Sequence, residues 1–221
     1  MILLDWGICN CAVRALCIRN AADRSGQTNH VSRSRTLAFN KPYGVLSCFT
    51  DPQGRPTLAG YIPIPSVYAA GRLDFDSEGL LLLTSDGKLA HRIMDPRQKL
   101  PKVYWVQVER IPDADAQHKL QEGVLLSGLR TRPAQVFLLP DPPQLPPRPV
   151  PIRYRKSVPT AWISVTVAEG LNRQIRRMTA AVGHPALRLI RVGIGPITLG
   201  KLQPGEWREL SGAEVDSLRR I

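Results

Sequence analysis

The stretch AGRLDFDSEGLLLLTSDG, residues 69–86, carries the reading of the fold. Residues 80–84, LLLLT, form the continuous apolar run expected of a strand buried on both faces. Just ahead of it, Asp74, Asp76 and Glu78 stand at alternate positions with Gly79 behind them, the way a calcium loop opens. Counted from Asp74, an EF-hand loop has its glycine in place, but its last ligand position falls on Ser85 instead of a bidentate glutamate. Leucines occupy the part that should stay polar, and the flanks read as strands instead of helices. The metal reading is set aside. Asp76 and Glu78, with Ser77 and Gly79, read as turn residues. Asp74 differs, because it lies between Leu73 and Phe75, directly after Arg72, at the end of an apolar segment. A carboxylate there is partly withdrawn from water and requires a cation and hydrogen-bond donors. Such a pair at the mouth of a cleft is a common form of catalytic site.

Working outward, TLAFNKP and GVLSCF read as short strands around a turn at 42–44, TLAGYI as one helical turn, and SVYAAG as a strand feeding the motif. KLAHRIM is a helix stopped by Asp95–Pro96. KVYWVQVER alternates, with Tyr104, Val106 and Val108 sharing one face of a strand. DADAQHKLQEGV is a helix with acids in its first turn, where the dipole favours them. AQVFLL and TAWISVTVAEG are strands, NRQIRRMTAAVG a helix and ALRLIRVGIGPI a strand. SGAEVDSLRRI closes the chain with Ser211 and Glu214 at capping-box spacing. Residues 140–157 are too rich in proline for a central strand or a helix and read as an extended surface loop. Residues 1–35 end in a polar, basic, aperiodic run and are expected to form a mobile arm. Strands and helices do not alternate regularly over 36–221. This predicts one α+β domain with a mixed, mostly antiparallel central sheet and flanking helices.

The chain has 221 residues, 43% of them hydrophobic, enough for one core or two small lobes. No apolar run reaches the roughly 18 residues of a membrane span. The opening residues lack the order of a signal peptide. A cytoplasmic protein that does not engage a membrane is expected. A net charge of +12 and a pI of about 10.1 point to a polyanionic partner, most commonly nucleic acid. Cys9, Cys11, Cys17 and Cys48 do not pair at zinc-ligand spacing, and His30, His91, His118 and His184 are scattered. No metal site is expected.

A cation for Asp74 is offered by EGLNRQIRRM, residues 169–178. Asn172 reads as the N-cap of a helix whose core face is Ile175, Met178, Thr179 and Val182. Arg173, Arg176 and Arg177 lie off that face, where cations oppose the helix dipole. Beside free backbone N–H groups they make a phosphate seat. The stretches 148–156, 173–177 and 188–191 are basic and contain no acidic residue, so the positive charge is patterned.

Four segments, in order, resemble one family: the ribosomal RNA pseudouridine synthases of type A, for the small subunit, and types B, E and F, for the large one. FNKPYGVL resembles the opening of their catalytic domain, AGRLDFDSEGLLLLTSDG their catalytic signature and KVYWVQV their lysine–x–tyrosine strand. EGLNRQIRRM with GHPALRLIRVGIGPITL resembles their third motif and the strand after it. RKSVPTAWISVTVAEG and GEWREL resemble the branch acting on large-subunit RNA, and the short polar leader predicts no S4 domain. The resemblance implies the pseudouridine synthase catalytic fold and a monomer that isomerises uridine in ribosomal RNA, with 23S RNA as expected substrate. Synthesis of pseudouridine in 16S or transfer RNA is the alternative within the family. A non-catalytic RNA-binding factor of ribosome assembly is the alternative that charge alone supports.

Carried over by motif, Asp74 is the essential aspartate and Arg176 its charge partner. Tyr104 packs on the target base, Ile175 lines its pocket, and Arg72 enters the RNA stack where the uridine leaves. Arg153, Arg155, Lys156, Arg173 and Arg177 are expected to hold RNA phosphates, which sets affinity more than sequence choice. The implied reaction detaches uracil from C1′, turns it and rejoins it through C5, without cofactor or metal. A stacked uridine must first be flipped out, at a cost on the order of a few kcal/mol. Attack on the sugar and removal of a ribose proton both need a carboxylate against the ribose, so both predict Asp74.

Overall fold

The computed structural model of the protein describes residues 34–152 and 155–221. Strand β1 (Thr36–Lys41) leads through an irregular segment and a single 3-10 turn at Leu58–Gly60 to β2 (Tyr68–Ala69) and β3 (Glu78–Thr84). Helix α1 (Gly87–Met94), strand β4 (Lys102–Glu109), helix α2 (Ala114–Glu122), the pair β5 (Leu125–Leu126) and β6 (Leu129–Arg130), and β7 (Gln135–Leu138) follow. Beyond the proline-rich loop come β8 (Thr160–Val167), α3 (Gln174–Ala181), β9 (Ala186–Ile194), β10 (Ile197–Thr198), β11 (Trp207–Glu209) and α4 (Gly212–Arg219).

One sheet runs in the order β11-β1-β3-β9-β4-β8-β7, with β2 beside β3 and β10 beside β9. Among the described residues its only parallel pairing is β3 with β9, Glu78 opposite Ile190 and Gly79 opposite Arg191. The mixed, mostly antiparallel α+β architecture is therefore the observed one. All of β3 is buried, because both faces of the sheet are covered. Leu81 and Leu83 pack with Leu37, Phe39 and Val106 on one face, together with Leu120 of α2 and Ile175 and Met178 of α3. Leu80 and Leu82 pack on the other with Ala38, Leu89 and Ile93 of α1 and Leu218 of α4. Each such side chain contributes roughly 1.5–3 kcal/mol of transfer free energy.

Local chemistry sets the helix ends. Asp86 caps α1 by accepting from the N–H groups of Lys88 and Leu89, and Asp95–Pro96 ends it. Ser211 and Glu214 form the expected capping box at α4. Residues 140–152 and 155–157 hold no helix or strand.

Other expectations need correction. GVLSCF is no strand. The buried Lys41 Nζ donates to the carbonyls of Pro42 (2.9 Å) and Val45 (2.7 Å), drawing the chain into a tight turn. Beyond it, Leu46 N–H goes to Pro56 O and Cys48 O accepts from Leu58 N–H, so no continuous ladder forms. In SVYAAG only Tyr68–Ala69 is extended and paired. Glu78 and Gly79 are not turn residues: β3 begins at Glu78. The short β5, β6, β10 and β11 leave too few residues for a periodic signal. Of residues 1–35, expected to be an arm, only Ser34 and Arg35 are among the described residues, and Cys9, Cys11 and Cys17 lie outside them.

Candidate active site

The loop before β3 is held at nearly every residue. Ala70 N–H still donates to Leu82 O of β3 (2.8 Å), and Gly71 then turns the chain at φ +107°. Ser47 clamps Leu73 by donating its hydroxyl to Leu73 O (2.8 Å) and accepting from Leu73 N–H (3.1 Å). Ser77 N–H donates to Asp74 O (3.1 Å), and Gly44 N–H donates to Phe75 O (2.9 Å). From the far side of the sheet seam, Arg191 Nη1 donates to Arg72 O (3.3 Å). The backbone of Asp74 is thus fixed on both sides while its carboxylate stays half-buried.

That carboxylate borders a cavity of about 500 Å³, also lined by Arg72, Tyr104, Arg173, Ile175 and Arg191. Tyr104 reaches it from β4 and Ile175 from α3, both buried, whereas Arg72 is exposed. An aromatic ring, an apolar side chain, a carboxylate and an exposed arginine thus meet at one cavity.

The pairing of charges departs from expectation. The guanidinium within ion-pair range of Asp74 is that of Arg173, at 3.6 Å. Arg173 also makes a forked contact to Asp76, with Nη1 to Oδ1 at 2.9 Å and Nη2 to Oδ2 at 2.8 Å. Arg176, the expected partner of Asp74, sits against Asp76. Its Nη2 donates to Asp76 O (2.7 Å), its Nε lies 3.3 Å from Asp76 Oδ2, and its Nη1 donates to Ala186 O (3.1 Å). Two main-chain carbonyls fix this guanidinium, which leaves it no freedom to follow Asp74. Burial alone would raise the Asp76 carboxyl, but the Arg173 hydrogen bonds and the charges of Arg176 and Arg173 hold it below its usual range. Burial lowers the affinity of Arg176 for its proton, offset in part by Asp76. Asp76 is therefore the hub of a two-arginine clamp and more than a turn former.

Arg173 reaches both acids from an unusual backbone position. Asn172 does not cap α3; Arg173 occupies the N-cap position at φ 48°, with no side-chain cap bond. A left-handed backbone at a residue other than glycine is uncommon and costs of order 1–3 kcal/mol. Glu78 takes a third course. Both its oxygens accept from Arg188, at 2.9 and 2.8 Å, and both side chains are buried. Each of the three alternating acids thus has an arginine within ion-pair range.

The basic stretches prove less uniform than their sequence. Acidic partners absent nearby arrive from distant strands and loops: Glu78 for Arg188, Asp76 for Arg173, and Glu109 for Arg155 at 3.5 Å. Arg188 and Arg191 are buried, so 188–191 is no surface patch. Arg177 donates to the Ser127 hydroxyl (2.7 Å), Lys156 is exposed, and Arg148 lies 4.2 Å over the Tyr43 ring. Arg153 lies outside the described residues. Ser77, Lys102 and Arg191 also border the cavity, and sequence reasoning passed over them. The available signal was a pair of arginines, Arg188 and Arg191, inside the strand that became β9.

The model of the RNA pseudouridylate synthase family matches residues 35–181. The chain belongs to this family. Over 187 residues this synthase-family chain is 60% identical to the ribosomal large subunit pseudouridine synthase E of Xanthomonas campestris pv. campestris, covering 84% of the chain and 97% of that relative. The protein of the same description from Vibrio vulnificus is 50% identical over 193 residues, covering 87% and 82%. The ribosomal large subunit pseudouridine synthase B of Bacillus subtilis is 37% identical, covering 82% and 70%. A crystal structure of a pseudouridylate synthase shares the fold with a TM-score of 0.71 and 31% identity, covering 84% of this chain and 74% of that one. The family expected from the four sequence segments is thus the family found, and the enzyme is an isomerase that makes pseudouridine.

Proposed function

We propose that the enzyme converts uridine to pseudouridine in ribosomal RNA of the large subunit, with Asp74 as the catalytic carboxylate. The observation that carries this reading is the cavity in which Asp74, Tyr104 and Ile175 meet, in a chain 60% identical over most of its length to a large-subunit synthase. The flipped uridine enters between Arg72 and Arg173. Tyr104 stacks on the uracil, worth about 1–3 kcal/mol, and Arg72 fills the vacated stack, which together offset the cost of flipping. Asp74 then acts on the ribose, with Arg173 beside it at 3.6 Å, while Arg176 holds the loop through Asp76. Arg153, Arg155, Lys156, Arg173 and Arg177 contact phosphates. The reaction needs no metal or cofactor, and the enzyme works as a cytoplasmic monomer on free RNA or an assembly intermediate, with residues 1–35 as an arm beside the catalytic domain.

The test is incubation with unmodified 23S, 16S and transfer RNA in parallel, followed by mapping of pseudouridine at nucleotide resolution. Conversion at a discrete uridine is expected. Conversion confined to 16S or transfer RNA would overturn the choice of 23S RNA.

A further inference from the structure

Arg191 is the unexplained residue of the cavity. It is buried and commits two of its three nitrogens to the protein: Nε to Leu80 O at 2.8 Å and Nη1 to Arg72 O at 3.3 Å. Nη2 is buried with no hydrogen-bond partner among the described residues. Native proteins seldom leave such a donor unpaired, and exceptions point to a ligand or a catalytic task. The Ser77 hydroxyl, on the same cavity, is likewise buried and unpartnered. Arg191 stands directly opposite Tyr104 in the β4–β9 register, beside an irregularity between Val103 and Tyr104. Opposed residues of an antiparallel pair leave the same face, so both side chains stand on the face of the sheet that borders the cavity. The placement depends on Gly79: a Cβ there would lie 2.3 Å from Arg191 O, so only glycine lets β3 come this close to β9.

We infer that Arg191 is a further catalytic residue, whose free Nη2 donates to a uracil carbonyl oxygen and stabilises the charge on the base as it leaves the ribose. This rests on the reaction proposed above. When N1–C1′ breaks, its electron pair goes to the ring and spreads over N1 and the carbonyl oxygens. When C5 joins C1′, that pair is returned to the new bond, and the proton C5 loses balances the one N1 gains. Arg191 transfers nothing; it is a cationic donor held by two main-chain carbonyls at the wall of the cavity in which the negative charge develops. Its role is the same whether Asp74 attacks the sugar or removes a ribose proton, since either course releases an anionic uracil.

The experiment compares two RNAs that differ only in carrying uridine or 5-fluorouridine at the target position. Fluorine makes uracil a better anionic leaving group, so a lost stabiliser is missed less. Single-turnover loss of the N-linked nucleoside is measured for wild type, Arg191→Met and Arg191→Lys, with folding followed by circular dichroism and RNA affinity by titration at two salt concentrations. Arg191→Met is expected to slow the uridine RNA by about 100-fold or more, and the 5-fluorouridine RNA by about tenfold or less. Equal losses on both RNAs overturn the role. A loss confined to affinity, with a shallower salt dependence, marks a phosphate contact and also overturns it. Should Arg191→Met not fold, the same comparison is read on Arg191→Lys, which keeps the charge and loses the fork; a smaller loss on the 5-fluorouridine RNA supports the role and an equal one overturns it. A wild type that converts neither RNA fails the reaction itself, and this role falls with it.

Discussion

Asp74 and Glu78 lie four positions apart in sequence and meet arginines in opposite ways. Glu78 is sealed: both carboxylate oxygens are taken by Arg188, whose Nη2 also reaches Pro146 O at 3.1 Å and ties down the proline-rich loop. Asp74 is open: its nearest guanidinium stands back at 3.6 Å, and its cavity side is free for a substrate. A pair that satisfies itself supports a fold; a pair left incomplete can do chemistry. Asp76 lies between them in kind as well as in position, since it accepts from Arg173 and anchors Arg176 yet remains partly exposed.

The comparison breaks most sharply at Asp74. Asp74→Asn is expected to lower single-turnover pseudouridine formation on the order of 10³-fold or more, with an unchanged melting temperature; a large loss of stability would place Asp74 with Glu78. Glu78→Gln is expected to do the reverse. It leaves the buried Arg188 charge uncompensated, a loss of about 3–5 kcal/mol, or a fall in Tm on the order of 10 °C. The folded fraction should retain its rate, as single-turnover assays below the new midpoint would show.

Arg173→Ala sharpens the contrast by leaving Asp74 without its ion-pair partner and Asp76 with Arg176 alone. It is expected to reduce the rate about tenfold, or 1.4 kcal/mol, and to change stability by less than about 1 kcal/mol, as exposed pairs do. Smallest is the acid limb of stability. The folded Asp76 carboxyl lies below its ordinary value of 3.8. Its contribution is therefore present above that value and lost as pH falls through the lower folded one. The stability difference between wild type and Asp76→Asn should shrink below about pH 4, measurable by denaturant titration at about pH 6 and about pH 3.

Much of this was legible in the chain. LLLLT announced the buried strand, Asp74 stood out by its apolar neighbours, and Asn172–Val182 marked a helix over the site. The pairing of the charges was not legible. Asp76 and Glu78 look like turn formers because the arginines that claim them lie 97 and 110 residues away. Arg173 has a left-handed backbone at φ 48°, which local propensity does not foresee in an arginine. Arg191 was read only as one charge of the basic stretch 188–191, and its burial within β9 was not foreseen.

The meeting of β3 and β9 has a consequence in time. Asp74 belongs to the part of the chain on one side of that parallel seam, Tyr104 and Ile175 to the part on the other, and the seam closes only when Leu80 finds Arg191, 111 residues onward. Parallel contacts at such separation are late and slow to form, because the loop entropy is spent before the contact rewards it. During its own synthesis, then, the chain is without a working pocket until nearly all of it has emerged.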